Sequence, residues 1–119
     1  MAEPITLKIR VRIKDGAEKG FRDLMNEMVA ETLKNEPGTL AYEWFISGDR
    51  KTCRINERYA DDAATLAHVI WFKAYAWDRF AALAQLKRFD LYGDPSPELR
   101  AAIEDFGARI MDPIGGFVR

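Results

Sequence analysis

Apolar and polar residues alternate without a break at the start of the chain: Ile5, Leu7, Ile9, Val11 and Ile13 fall on one side, Thr6, Lys8, Arg10, Arg12 and Lys14 on the other. A period of two over residues 5–14 predicts a strand with one buried face. Asp15-Gly16 interrupts it. From Ala17 to Asn35 the spacing becomes three and four, with Phe21, Leu24, Met25, Met28, Val29 and Leu33 on one stripe, which predicts an amphipathic helix. Glu36-Pro37-Gly38 ends that helix, because proline disfavours helical geometry in the residue before it. Residues 39–47 alternate again, with Leu40, Tyr42, Trp44 and Ile46 opposite Ala41, Glu43 and Phe45. Both faces of this second strand are apolar enough to want cover.

A polar turn, Ser47-Gly48-Asp49-Arg50-Lys51, leads to a third strand over residues 52–60, with Cys53, Ile55, Glu57 and Tyr59 on one face and Thr52, Arg54, Asn56 and Arg58 on the other. The pair predicts a β-hairpin. Asp61 or Asp62 can cap a helix starting at Ala63 and carrying Leu66, His68, Val69 and Phe72. Helical composition continues from Ala74 to Leu86, with a break near Trp71 left open. Residues 87–92 predict a short fourth strand closed by Gly93. Ser96-Pro97 then predicts a helix start, with Leu99, Ile103, Phe106 and Ile110 as its stripe. Asp112-Pro113 and Gly115-Gly116 end regular structure before a tail bearing Phe117 and Val118.

The order strand, helix, strand, strand, helix, strand is that of an α+β, ferredoxin-like βαββαβ fold with an extra C-terminal helix, in one domain spanning residues 1–119 with the helix and tail from about residue 94. Helices in that fold cover one sheet face. The two-faced second strand therefore calls for another layer, and the simplest is a second copy of the chain, giving a dimeric α+β barrel whose shared interior can hold a small ligand. The final helix or the Phe117 tail is the other candidate cover.

Composition narrows the partners. Eighteen Lys and Arg against nineteen Asp and Glu leave a net charge of −1, so no global field draws the chain onto nucleic acid or an anionic membrane. One cysteine and one histidine supply neither an internal disulfide nor a structural zinc site, which favours a reducing, cytoplasmic setting. Apolar runs are short and Met1-Ala2-Glu3-Pro4 has no basic-then-apolar pattern, so neither a membrane span nor a secretion signal is expected. Phosphate loops, nucleotide fingerprints and acidic metal clusters are missing from the sequence.

Two stretches carry a family resemblance: Glu36-Pro37-Gly38-Thr39-Leu40-Ala41-Tyr42, and Glu57-Arg58-Tyr59-Ala60-Asp61-Asp62-Ala63 with His68 eleven residues after the glutamate. Over roughly the first ninety residues the chain resembles the antibiotic biosynthesis monooxygenase superfamily of dimeric α+β barrels. The resemblance implies a homodimer with a cavity in each subunit, in a superfamily that includes cofactor-free oxygenases of aromatic polyketides, quinol oxygenases and haem-degrading enzymes, as well as members without known activity. Haem-degrading relatives use an asparagine on the first strand. Here that strand has Thr6, Lys8, Arg10 and Arg12 at its polar positions, which sets haem degradation aside.

Oxygenation without a cofactor or metal needs an electron-rich aromatic or quinol-like substrate, a base, a donor or cation for the developing anion, and an apolar cavity. His68 is the natural base, or else a helix histidine hydrogen-bonded to Glu57 or a backbone carbonyl. Glu57 and Tyr59 share a strand face and can meet a group from the following helix; Glu57 can orient His68, bind substrate, or pair with Arg10 or Arg12. Tyr42 and Trp44, with Phe45, can stack on an aromatic ligand or belong to the core. Trp71 and Trp77 can border a cavity mouth or seal the barrel. Arg10 and Arg12, with Arg54 and Arg58, suit a carboxylate or phenolate if their face looks inward and are solvated if it looks outward. Cys53 fits a small buried hydrophobe better than a nucleophile. The alternative to a monooxygenase is a binding or sensing protein that uses the same cavity without catalysis.

Overall fold

The structure is a computed structural model that describes residues 3–119. Met1 and Ala2, half of the stretch inspected for a secretion signal, lie outside the described residues. The elements are β1 (Ile5–Ile13), α1 (Glu18–Asn35), β2 (Thr39–Ile46), β3 (Thr52–Tyr59), α2 (Asp62–Trp71), a wide helical turn (Phe72–Ala76), α3 (Trp77–Leu83), β4 (Ala84–Tyr92), α4 (Pro97–Glu104) and β5 (Arg109–Met111). One sheet holds all five strands in the order β2-β3-β1-β4-β5. The first four pair antiparallel, and β5 adds to β4 in parallel. This is the ferredoxin-like α+β arrangement that the order of elements predicts.

All the helices lie on one face. The alternation in β1 puts Ile5, Leu7, Val11 and Ile13 beneath them, fully buried. Phe21, Leu24 and Met28 come down from α1 and Phe80 from α3, forming one apolar cluster with Val11, Ile13, Cys53 and Ile55. Leu99 and Ile103 from α4 join Ile5, Leu7, Tyr59, Val69 and Leu91 in a second. Burial of each such large side chain contributes about 1.5–3 kcal/mol. Asp61 caps α2 by accepting from the Ala64 N–H at 2.9 Å. Asp62 instead ties two helix starts together, accepting from the Ser96 N–H at 2.7 Å and from its hydroxyl at 2.8 Å.

Three expectations are corrected. The fourth strand begins at Ala84, so Ala84-Gln85-Leu86 is strand despite its helical composition. A bulge explains the missed pattern: Arg10 pairs with Arg88 and Val11 with Leu86, leaving Lys87 as an extra residue that breaks the alternation. The last helix stops at Glu104, because Gly107 turns the chain through a left-handed φ of 67°. Ile110 therefore lies on β5 and is no part of the helical stripe. Neither α4 nor the tail covers the second sheet face: α4 packs beside α2, while Ile114, Phe117 and Val118 are exposed. Phe45 on the open face and Leu40 near the β2 start remain exposed as well. Near Trp71 the helix widens without breaking, with the Trp77 N–H bonding five residues back to the Phe72 carbonyl.

Gly38 sets how closely the start of β2 approaches α2. A Cβ placed there would stand 2.7 Å from the Ala64 Cβ, well inside contact distance. Gly38→Ala is therefore expected to lower unfolding free energy by about 1–3 kcal/mol, measured by urea denaturation. Gly48→Ala, with open space around its Cβ, is expected to cause no loss.

Candidate functional site

His68 is the centre of a buried polar cluster that three elements bring together. It occupies the inward face of α2, with its side chain only 4% exposed. Glu57 and Tyr59 reach it from β3, two residues apart and thus on one face of the strand. Glu36 comes from the end of α1, where the Pro37-Gly38 turn bends the chain back. The Thr39 N–H bonds the Glu36 carbonyl at 3.0 Å, and the Thr39 hydroxyl donates to Glu36 Oε1 at 2.8 Å.

The imidazole lies between two carboxylates. His68 Nδ1 is 2.9 Å from Glu36 Oε1, and Nε2 is 3.7 Å from Glu57 Oε1. Tyr59 donates its hydroxyl to the same Glu57 oxygen. Tyr42 meets the imidazole edge-on with ring centres 5.0 Å apart, and Trp71 lies 5.3 Å away, itself stacked on Tyr75. Glu57, 4% exposed, is as deeply buried as His68.

Burial and charge act oppositely on these groups. Burial by itself pulls the His68 pKa down, but the Glu36 hydrogen bond and the charges of Glu57 and Glu36 outweigh it, leaving it above the ordinary 6.5. Burial pushes Glu57 above its ordinary 4.5, only partly offset by the imidazole and the Tyr59 hydroxyl. Burial, with the carboxylates nearby, also holds Tyr42 and Tyr59 well above 10, so both are neutral hydroxyls. The Cys53 thiol is pushed up to about 11, chiefly by burial, consistent with a hydrophobe and not a nucleophile.

A pocket with an inner volume of about 30 Å³, partly open to solvent, lies against this cluster beneath the helix layer. Its polar wall is Tyr42, Trp44, Glu57 and His68; aliphatic and aromatic side chains such as Leu7, Met28, Phe80 and Phe89 form the remainder. The Trp44 indole N–H is buried without a hydrogen-bond partner, so a ligand oxygen beside it would satisfy a group that is otherwise costly to bury.

The sequence candidates divide between the two sheet faces. His68, Glu57, Tyr59, Tyr42, Trp44 and Trp71 come together, and Trp77 lines the cavity. Arg10 and Arg12 do not join them. They project from the opposite face with Arg54 and Arg58, so neither pairs with Glu57. Phe45 also lies on that face. The cavity sits between the sheet and the helices of one chain. The sequence did not point to Glu36 as a site residue, although it ends the helix and opens a stretch that carries the family resemblance; its place before the Pro37-Gly38 turn is the signal that the chain reverses there. Among the described residues, no group of three or more His, Cys, Asp and Glu is disposed to hold a metal ion, and no helix is long and apolar enough to cross a membrane.

Comparison with known proteins agrees with this architecture. A family model described as antibiotic biosynthesis monooxygenase matches residues 4–70, more than half of the chain. The chain belongs to the antibiotic biosynthesis monooxygenase family. This family member is similar to the crystal structure of MupZ from Pseudomonas fluorescens, with a TM-score of 0.84 and 22% identity over 98% of this chain and 95% of that one. That coverage takes in α4 and β5. It is also similar to SnoaB, a cofactor-independent oxygenase from Streptomyces nogalater, with a TM-score of 0.66 and 17% identity over 80% and 96% of the two chains. A conserved protein of unknown function from Bacteroides thetaiotaomicron gives 0.65 and 26% over 76% and 97%. Among curated proteins, none matches.

Because folding raises the pKa of both Glu57 and His68, the folded chain binds these protons more tightly than the unfolded chain. Their contribution to stability is greatest on the acid side and is lost as pH rises, from 4.5 upward for Glu57 and from 6.5 upward for His68. Glu57→Gln removes the first of these dependences. The stability of wild type minus that of Glu57→Gln, followed by chemical denaturation, is therefore expected to fall as the pH rises above 4.5. A difference independent of pH would contradict the assignment.

Proposed function

We propose that the chain is a cofactor-independent monooxygenase acting on a small aromatic or quinol-like compound held between its sheet and its helices. The observation that carries this is the pairing of Glu57 with His68 on an otherwise apolar wall. Glu57, made more basic by burial, takes a proton from an acidic C–H or O–H of the ligand. His68, held by Glu36 and kept protonated to a higher pH than an ordinary imidazole, is the cation beside the ligand anion, with the Trp44 N–H as a second donor. These roles reverse the sequence expectation of His68 as base and replace the arginines sought for the cationic role.

The ligand anion supplies the electrons. It passes one to dioxygen, the radical and superoxide combine, and the peroxide loses water, so that RH2 and O2 become R=O and H2O. The apolar wall limits water around the charged pair. The same donor and acceptor can also move a proton between two atoms of a ligand without oxygen, giving isomerisation. The 3.7 Å separation of Nε2 and Oε1 is what favours this second possibility. A homodimer formed through the uncovered sheet face, where Phe45 is exposed, completes the proposal, and the single buried cysteine suits a reducing compartment.

Anthrone and simple naphthoquinols are suitable probes, followed with an oxygen electrode. Wild type is expected to consume oxygen in step with product, while Glu57→Gln and His68→Asn each lose about 100-fold or more of the rate. Product formed under nitrogen at an undiminished rate would establish the isomerisation, and folded variants that retain wild-type turnover would exclude this pair from the chemistry.

A further inference from the structure

The sheet face opposite the cavity carries an unusual arrangement of charge. Arg10 pairs across the strands with Arg54 of β3 on one side and with Arg88 of β4 on the other. Three arginines thus stand in one row across three adjacent strands. Directly opposed side chains on neighbouring strands begin about 5 Å apart at Cβ, where like charges destabilise the sheet. The next row runs Glu43, Asn56, Lys8 and Asp90 across four strands, and of the three arginines its carboxylates pair only with Arg88 among the described residues. Asp90 is nearly buried and already held by Arg88 Nε at 2.8 Å and Arg109 Nε at 3.0 Å. Among the described residues, Lys8, Arg10 and Arg54 have no carboxylate within ion-pair distance; Lys8 lies over the Tyr92 ring, 5.5 Å from its centre.

These side chains border one groove, lined by Lys8, Arg10, Arg54, Asn56, Arg88 and Asp90 together with Tyr92. Four cations face one carboxylate there, and that carboxylate is engaged. A solvated basic face would gain nothing from setting three guanidinium groups in register, and the repulsion disappears if an anion lies on the row. Guanidinium groups suit such a ligand because each presents parallel N–H donors that match two oxygens of a phosphate or carboxylate. The paired strands fix the spacing of the three arginines along the row, and Arg88 is also held by Asp90.

We infer that Arg54, Arg10 and Arg88 form a binding site for a multiply charged oxyanion on the open face of the sheet, independent of the His68 cavity on the other side. The ligand class is a small molecule bearing a phosphoryl group or several carboxylates. A second copy laid on this face would bring three more arginines onto the row, so an anion held here would also neutralise the interface between copies.

The test compares melting temperatures in sodium chloride, pyrophosphate and citrate at matched ionic strength, with calorimetric titration of the same anions. Wild type is expected to gain several degrees with at least one of the two anions and to give a saturable heat. Pyrophosphate alone would identify phosphoryl chemistry, and citrate alone carboxylate chemistry. Arg10→Gln is expected to melt higher than wild type in chloride, because the like-charge contact is gone, and to lose the anion response at least tenfold. Lys34→Gln removes the same charge from the end of α1 and is expected to respond like wild type. No saturable response in wild type, or an undiminished response in Arg10→Gln, would overturn the inference. So would equal loss in Lys34→Gln, which would reduce the effect to net charge.

Discussion

An imidazole buried between two carboxylates is the constraint around which this half of the molecule is arranged. A histidine with 4% of its side chain exposed would ordinarily be pushed towards its neutral form. Glu36 and Glu57 reverse that tendency, and each is delivered by a different piece of secondary structure. The end of α1 must turn at Pro37-Gly38 for Glu36 to reach Nδ1, α2 must start at the Asp61 cap for His68 to face inward, and β3 must keep its register for Glu57 to face the same space. The tight approach of Gly38 to Ala64 follows from these demands, since it brings the α1–β2 turn against α2.

The two faces of the sheet are chemically opposite. On the helix side, residues with a period of two meet residues with a period of three and four, and the remaining space becomes an apolar cavity with one polar wall. On the other side β1, β3 and β4 show arginines and a lysine with Asp90 among them, while β2 shows Phe45 and Glu43 at the edge. This division separates two kinds of electrostatics. Buried charge near His68 is strengthened by exclusion of water, whereas the exposed arginine row is screened by salt and depends on whatever anion lies against it.

Much of this was legible in the sequence because β1, α1 and β3 have undisturbed periods, and His68, Glu57 and Tyr59 fall on faces those periods define. Arg10 and Arg12 also fell on a definite face, but alternation cannot say which side of a sheet the helices will cover. Glu36 was hidden because a tertiary contact across 32 residues leaves no trace in local spacing. The start of β4 was hidden by the bulge at Lys87, and the end of α4 by a stripe that continued in composition past the turn at Gly107.

The chain has a single histidine, so the protonation of His68 can be followed without assignment ambiguity. Nitrogen-15 NMR of the imidazole across a pH titration tests the central claim most directly. The account predicts that both ring nitrogens remain protonated above the ordinary value of 6.5 and that Glu36→Gln lowers the midpoint by removing the Nδ1 partner. A midpoint at or below 6.5 in wild type, or one unmoved by Glu36→Gln, would show that the two carboxylates do not hold a charged imidazole at the cavity wall.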